Sequence, residues 1–198
     1  MPSVLIVYGT TDGQTAKIAE FLGRELRTAG NRVDVVRAGA TPADPRDYDG
    51  VIVAASIHAG GYQHSVLRWV REHATELSAV PSAFLSVCLA VLEHSDHARH
   101  ELEEIKERFI RRTGWTPATF REIAGALRYT RYGWLKRRIM RRIVARVGGD
   151  TDASRNYEYT DWNDLRAFTV LFDARLRPAP QAHFSELLPT PCVLVGAA

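Results

Sequence analysis

Val4-Leu5-Ile6-Val7-Tyr8-Gly9-Thr10-Thr11-Asp12-Gly13-Gln14-Thr15 is the stretch that decides the fold. Its first five residues form an unbroken apolar run, as in a strand covered on both faces. Ile18, Leu22 and Leu26 then recur at spacing four, which is a helix, closed by Gly30. The same alternation continues outward. Arg32 to Arg37 puts Val33 and Val35 on one face of a second strand, and Val51 to Ala55 is a third, followed by a helix lined by Val66, Val70, Ala74 and Leu77. Pro81 breaks the chain before a fourth strand, Ala83 to Cys88, and Leu102, Ile105 and Phe109 mark the next helix. A fifth strand is expected in Phe120 to Leu127, and a last helix carries Trp162, Leu165, Phe168, Phe172 and Leu176 on one side. Strands alternating with helices, several apolar on both faces, predict an α/β fold: a doubly wound, five-stranded parallel sheet.

With 198 residues, 45% hydrophobic and 25% charged, the chain has the size and composition of one globular domain. The expected organisation is a domain over 1–177 and a C-terminal extension over 178–198, which holds Pro178, Pro180, Pro189 and Pro191. The longest apolar runs are about five residues, far short of the roughly 20 that cross a bilayer. Cys88 and Cys192 form neither a disulfide framework nor a zinc spacing, and the N-terminus shows no basic leader, so a cytoplasmic location is expected. The net charge of +3 hides an asymmetry. Arg128, Arg131, Lys136, Arg137, Arg138, Arg141, Arg142 and Arg146 fall in one segment with no acid among them, and without them the chain would stand at −5.

The first loop carries the clearest chemistry. Thr10, Thr11, Asp12, Gly13, Gln14 and Thr15 leave backbone N–H groups and hydroxyls free to hold an anion over a helix N-terminus. The loop lacks the Lys of a Walker sequence and the spacing of a dinucleotide loop, which favours a monophosphate; helix capping by the threonines is the bland alternative. Ser56, Ile57, His58, Ala59 and Gly60, with Tyr62 beyond them, follow strand three, and Cys88, Leu89 and Ala90 close strand four. In an open parallel sheet these loops meet at the C-terminal edge. A phosphate loop with two loops able to wall a planar ring points to FMN.

At this point the chain resembles the flavodoxin-like proteins, and among them most closely the quinone-dependent protoporphyrinogen oxidases of bacterial haem synthesis. The resemblance is carried by Thr10 with Asp12 to Thr15, Ala55-Ser56-Ile57, and Pro81-Ser82-Ala83-Phe84. It continues in Ala124-Gly125-Ala126-Leu127-Arg128-Tyr129 with Arg131-Tyr132, and in Gly148-Gly149 before Tyr159-Thr160-Asp161-Trp162. It implies non-covalent FMN, protoporphyrinogen IX as substrate, menaquinone or ubiquinone as acceptor, and an insertion over 129–149 in the last strand. Arg128, Arg131 and Tyr132 would then contact the substrate. The chain departs from the pattern at Cys88, where Asn is expected, at His58-Ala59, where Arg-Tyr is expected, and at Thr130, where Pro is expected. A flavodoxin-type electron carrier and another FMN-dependent quinone reductase are the alternative functions; a flavodoxin domain repurposed for binding is a third.

From Trp134 to Val147 the apolar residues Trp134, Leu135, Ile139, Met140, Ile143, Val144 and Val147 share one helical stripe, and the basic residues flank it. Such a helix could rest on an anionic membrane, placing the protein at the inner face of the cell membrane, or hold substrate carboxylates; the plain alternative is packing with a solvated basic face. Nucleic acid is not expected, because Tyr129, Tyr132 and Trp134 cluster at one end instead of interleaving with the charges. His94, His97 and His100 lack an evident fourth ligand, so no metal site is expected. No catalytic side chain is assigned, and nothing in the sequence sets the oligomeric state.

Overall fold

In the computed structural model, residues 1–40, 42–93, 95–127 and 156–177 are described. In chain order the elements are β1 (Ser3–Gly9), α1 (Gln14–Thr28), β2 (Arg32–Arg37), β3 (Gly50–Ser56), α2 (His64–Glu72), α3 (Ala74–Ala79) and β4 (Ser82–Cys88). They are followed by α4 (Asp96–Thr113), β5 (Thr119–Ala124), β6 (Ala126–Leu127), β7 (Tyr157–Glu158) and α5 (Trp162–Leu176). The main sheet has the order β2-β1-β3-β4-β5 with every pairing parallel, as the alternation of strands and helices requires. The order reverses at β1, so the crevice above β1 and β3 is the switch point where such sheets bind ligands.

Period-two alternation divides the central strands between two cores. Val4, Ile6, Ile52, Ala54, Ala83 and Leu85 face α1 and α5, where they meet Ile18, Leu22, Leu26, Leu165, Phe168 and Phe172. Leu5, Val7, Val51, Val53 and Phe84 face the other way, onto Val66, Val70, Leu77, Ile105, Phe109 and Trp115. β4 is buried along its whole length, whereas β2 and β5 at the sheet edges are only partly so. Two helices begin on side-chain caps: the Ser95 hydroxyl accepts from Ala98 N (3.1 Å), and the Asp161 carboxylate accepts from Asn163 N and Asp164 N (2.9 and 3.0 Å).

Two expectations are corrected. The helix read through Val66, Val70, Ala74 and Leu77 is broken at His73, whose φ of −121° ends α2 before α3 begins. The four residues still share one face because α3 restarts at once. The fifth strand does not run unbroken to Leu127: it stops at Ala124, and beyond Gly125 the chain pairs antiparallel with the returning strand, Ala126 opposite Glu158 and Leu127 opposite Tyr157. Gly125 N donates to Cys88 O (3.1 Å), so the corner stays attached to β4. Arg128, Arg131, Tyr132, Thr130, the helix read over 134–147, His94 and the extension 178–198 lie outside the described residues. Among the described residues no helix is long and apolar enough to cross a membrane.

Candidate flavin site

The register of the sheet brings the predicted loops together. Gly9 stands opposite Ala55, Ser56 opposite Val87, and Cys88 opposite Ala124. The strand ends that carry the three loops therefore form one continuous edge.

At β1 the chain leaves the sheet at Gly9 and bends through Thr11, Asp12 and Gly13 into α1. Gly13 has φ 92°, a left-handed conformation that costs a residue with a Cβ, and its N–H donates to Thr10 Oγ1 (2.9 Å). Having no side chain, Gly13 cannot cap α1, and the first turn, Gln14 to Lys17, holds no acid. The positive end of the helix is thus left for another anion. Thr15 Oγ1 is buried, and among the described residues it has no hydrogen-bond partner. A buried hydroxyl is rarely left in that state unless something else bonds it.

Gln63, which the sequence reading passed over, closes the space between the first and second loops. Its Nε2 donates to Thr11 Oγ1 (3.1 Å) and Ser56 Oγ (2.7 Å), and its Oε1 is buried without a partner among the described residues. Gly9 makes room for it: a Cβ there would fall 2.8 Å from Gln63 Oε1 and 2.4 Å from Val66 Cγ2. No sequence pattern marks Gln63, because its role depends on the crossover that lays the start of α2 over β1.

The second loop is a tight hairpin. His58 and Gly61 exchange backbone hydrogen bonds (2.8 and 3.2 Å) around Ala59 and Gly60, whose φ values are 49° and 74°. Positive φ at both central residues is the pattern of a type I′ turn, and Ala59 bears the strain of it. His58 and Ala59 are exposed at the tip, while Ser56, Ile57 and Gly60 are half-buried. Tyr62, beyond the loop's far end, belongs to the core. It is buried against Phe84 and Phe109, with its hydroxyl bonded to Ser86 Oγ (2.9 Å). Burial pushes its phenol well above the ordinary value.

In the third loop Leu89 and Ala90 are half-buried, and Cys88 is buried at 8% exposure. Burial pushes its thiol up to about 11, so it stays protonated and is no nucleophile at neutral pH. His97 and His100 are exposed on α4, and among the described residues no three metal-ligating side chains come together.

An uncapped helix start, an orphaned threonine hydroxyl, an acid-free first turn and half-buried loops beside them suit the phosphate and ring of a flavin mononucleotide. The fold and this edge together define a flavin-binding protein of the doubly wound class. The flavodoxin domain family matches residues 5–154, and the chain belongs to it. Curated relatives include the protoporphyrinogen IX dehydrogenase (quinone) of Escherichia coli strain K12, 37% identical over 166 residues, which are 83% of this chain and 91% of that protein. The Leishmania major protein of the same name is 34% identical over 190 residues, 93% of this chain and 82% of its own length. Among solved structures, oxidised flavodoxin 1 from Bacillus cereus superposes with a TM-score of 0.50 at 12% identity, covering 88% of this chain and 99% of that one. A cysteine mutant of Pseudomonas aeruginosa flavodoxin gives 0.51 at 12% identity, covering 88% and 98%. At such identities the likeness is one of fold.

Proposed function

We propose that this protein is an FMN-dependent oxidoreductase that converts protoporphyrinogen IX to protoporphyrin IX and reduces a menaquinone- or ubiquinone-like acceptor. The observation that carries the reading is the 37% identity spanning 91% of the Escherichia coli dehydrogenase of that name. The phosphate loop supports the cofactor half of it. Bound FMN would supply two-electron chemistry, so removal of the six hydrogens of the porphyrinogen takes three turnovers, each reducing one quinone to its quinol.

In this reading Thr10, Thr11, Gly13 and Thr15, with the backbone of Asp12 and Gln14, bind the phosphate. Ser56 to Gly60 and Cys88 to Ala90 flank the ring, with half-buried Ile57 and Leu89 excluding water from its faces. Gln63 positions the first two loops through Thr11 and Ser56. Arg128 and Arg131 pair with substrate carboxylates in the bidentate geometry that guanidinium favours, and Tyr132 packs on the macrocycle. The basic residues that flank the apolar stripe of 134–147 rest on the anionic inner face of the membrane, where each cation adds about 1 kcal/mol, and bring the protein to its lipid-soluble acceptor.

The test is an anaerobic assay of FMN-loaded protein with protoporphyrinogen IX and a menaquinone analogue, followed by porphyrin fluorescence. The expected result is fluorescence that rises only with quinone present and is lost in the Arg128→Ala/Arg131→Ala double variant. Background rates from a protein that holds FMN would replace this reading with that of an electron carrier or another quinone reductase.

A further inference from the structure

The motif Tyr159-Thr160-Asp161-Trp162 follows the returning strand, and only part of it is explained by the start of α5. Asp161 caps that helix, and Trp162 packs on Phe21 with its ring 4.9 Å from the Phe21 centroid. Thr160 is used differently. At 7% exposure its hydroxyl donates to Ala124 O, the last carbonyl of β5 (2.7 Å), and accepts from Gln14 Nε2 (3.0 Å). A hydroxyl has one proton, so donation to Ala124 leaves only lone pairs for the amide, and the orientation of Gln14 is thereby set.

Gln14 is the first residue of α1, buried at 6% exposure, and its Nε2 also donates to Glu158 Oε1 (3.2 Å). One turn on, Lys17 Nζ holds both oxygens of Glu158 (2.6 and 2.8 Å). Partial burial works against ionisation of Glu158, but the bonds from Lys17 and Gln14 prevail and hold its carboxyl below the ordinary range. The backbone joins the same corner, Tyr159 N donating to Gly125 O (3.1 Å). The first turn of α1 is therefore anchored to the strand that returns at residue 157.

We propose that Thr160 is a positioning residue for cofactor phosphate: through Gln14 it holds the N-terminal turn of α1 in register with the Thr10 to Thr15 loop, with Glu158 and Lys17 as the outer half of the clamp. The proposal rests on the reading of that loop as the FMN phosphate site. It makes phosphate affinity depend on a residue about 150 positions away in sequence that does not belong to the loop. With the Thr160 hydroxyl removed, the Ala124 carbonyl and the Gln14 amide lose a partner where water does not readily replace it, and the turn that presents the N–H groups loses its anchor.

The test is titration of apoprotein with FMN and, in parallel, with riboflavin, which has the ring and lacks the phosphate. Thr160→Val and the near-isosteric Gln14→Met are expected to weaken FMN by about tenfold or more while riboflavin affinity stays within about twofold. Thr160→Ser, which keeps the hydroxyl, is expected to restore FMN binding. Wild-type FMN affinity in both Thr160→Val and Gln14→Met would overturn the proposal, as would a parallel loss of FMN and riboflavin, the mark of general loosening. If Thr160→Val does not fold, Gln14→Met decides by itself. A wild-type protein that binds neither flavin overturns the flavin reading, and this proposal with it.

Discussion

Two neighbouring regions at the C-terminal edge of the sheet treat their polar groups in opposite ways. Under the first loop, Thr15 Oγ1 and Gln63 Oε1 are buried and without partners among the described residues. Beneath the second and third loops, Tyr62 bonds Ser86 inside a cage of Phe84 and Phe109, and Cys88 is held as a neutral thiol. Around Tyr62 and Ser86 the second region has completed its bonding on folding, and the exception there is Trp115 Nε1, in ring contact with Phe84 and buried without a partner among the described residues. The first has kept capacity in reserve, as a binding site does when its partner supplies the missing bonds. The difference separates stability from binding within a few residues of sequence.

The contrast can be broken most forcefully at Phe84, fully buried and in ring contact with Tyr62, Phe109, Trp115 and Phe120. Phe84→Ala is expected to cost about 3–5 kcal/mol in urea unfolding; a loss below about 1 kcal/mol would mean that this core is not packed as described. Next comes Thr15→Val, which removes an unsatisfied hydroxyl at nearly constant shape. Its unfolding free energy should stay within about 0.5 kcal/mol of wild type while FMN affinity falls about tenfold or more, and the reverse pattern would make Thr15 a structural residue. Tyr62→Phe sharpens the other side. It strands Ser86 Oγ, so about 1 kcal/mol of stability should be lost with FMN affinity unchanged.

An effect comparable to that of Tyr62→Phe concerns Cys88, read in a Cys192→Ser background. With its folded pKa raised to about 11, the thiol keeps its proton from the usual thiol range up to that value, while the unfolded chain loses it. Stability should therefore decline by about 1–2 kcal/mol as pH rises from about 8 to 10. Iodoacetamide at pH 8 should label Cys88 slowly in the native protein and readily in urea. Rapid native labelling would show the third loop to be open.

Much of the edge was legible from residue types alone. Unbroken apolar runs at Val4, Val51 and Ala83 announced doubly covered strands, and the run from Thr10 to Thr15 singled out the loop proposed to hold the phosphate, because both signals are local. The break at His73 and the corner at Gly125 left no comparable signal: the apolar spacing continues across each, and only pairing with other segments shows where the element ends. Gln63 and Thr160 were unreadable as site residues for the same reason. Each acts on a loop far away in the chain, Gln63 across 52 positions to Thr11 and Thr160 across 146 to Gln14.

The sequence by itself determined the class of fold and the family, and marked Thr10 to Thr15 as the candidate phosphate loop, since period, helix starts and short motifs are properties of contiguous residues. The tertiary structure alone decided which polar groups stay unbonded at the sheet edge, which aromatic serves the core, and which distant side chains hold the loop. Those outcomes depend on register and crossover, which bring together groups that the chain keeps far apart.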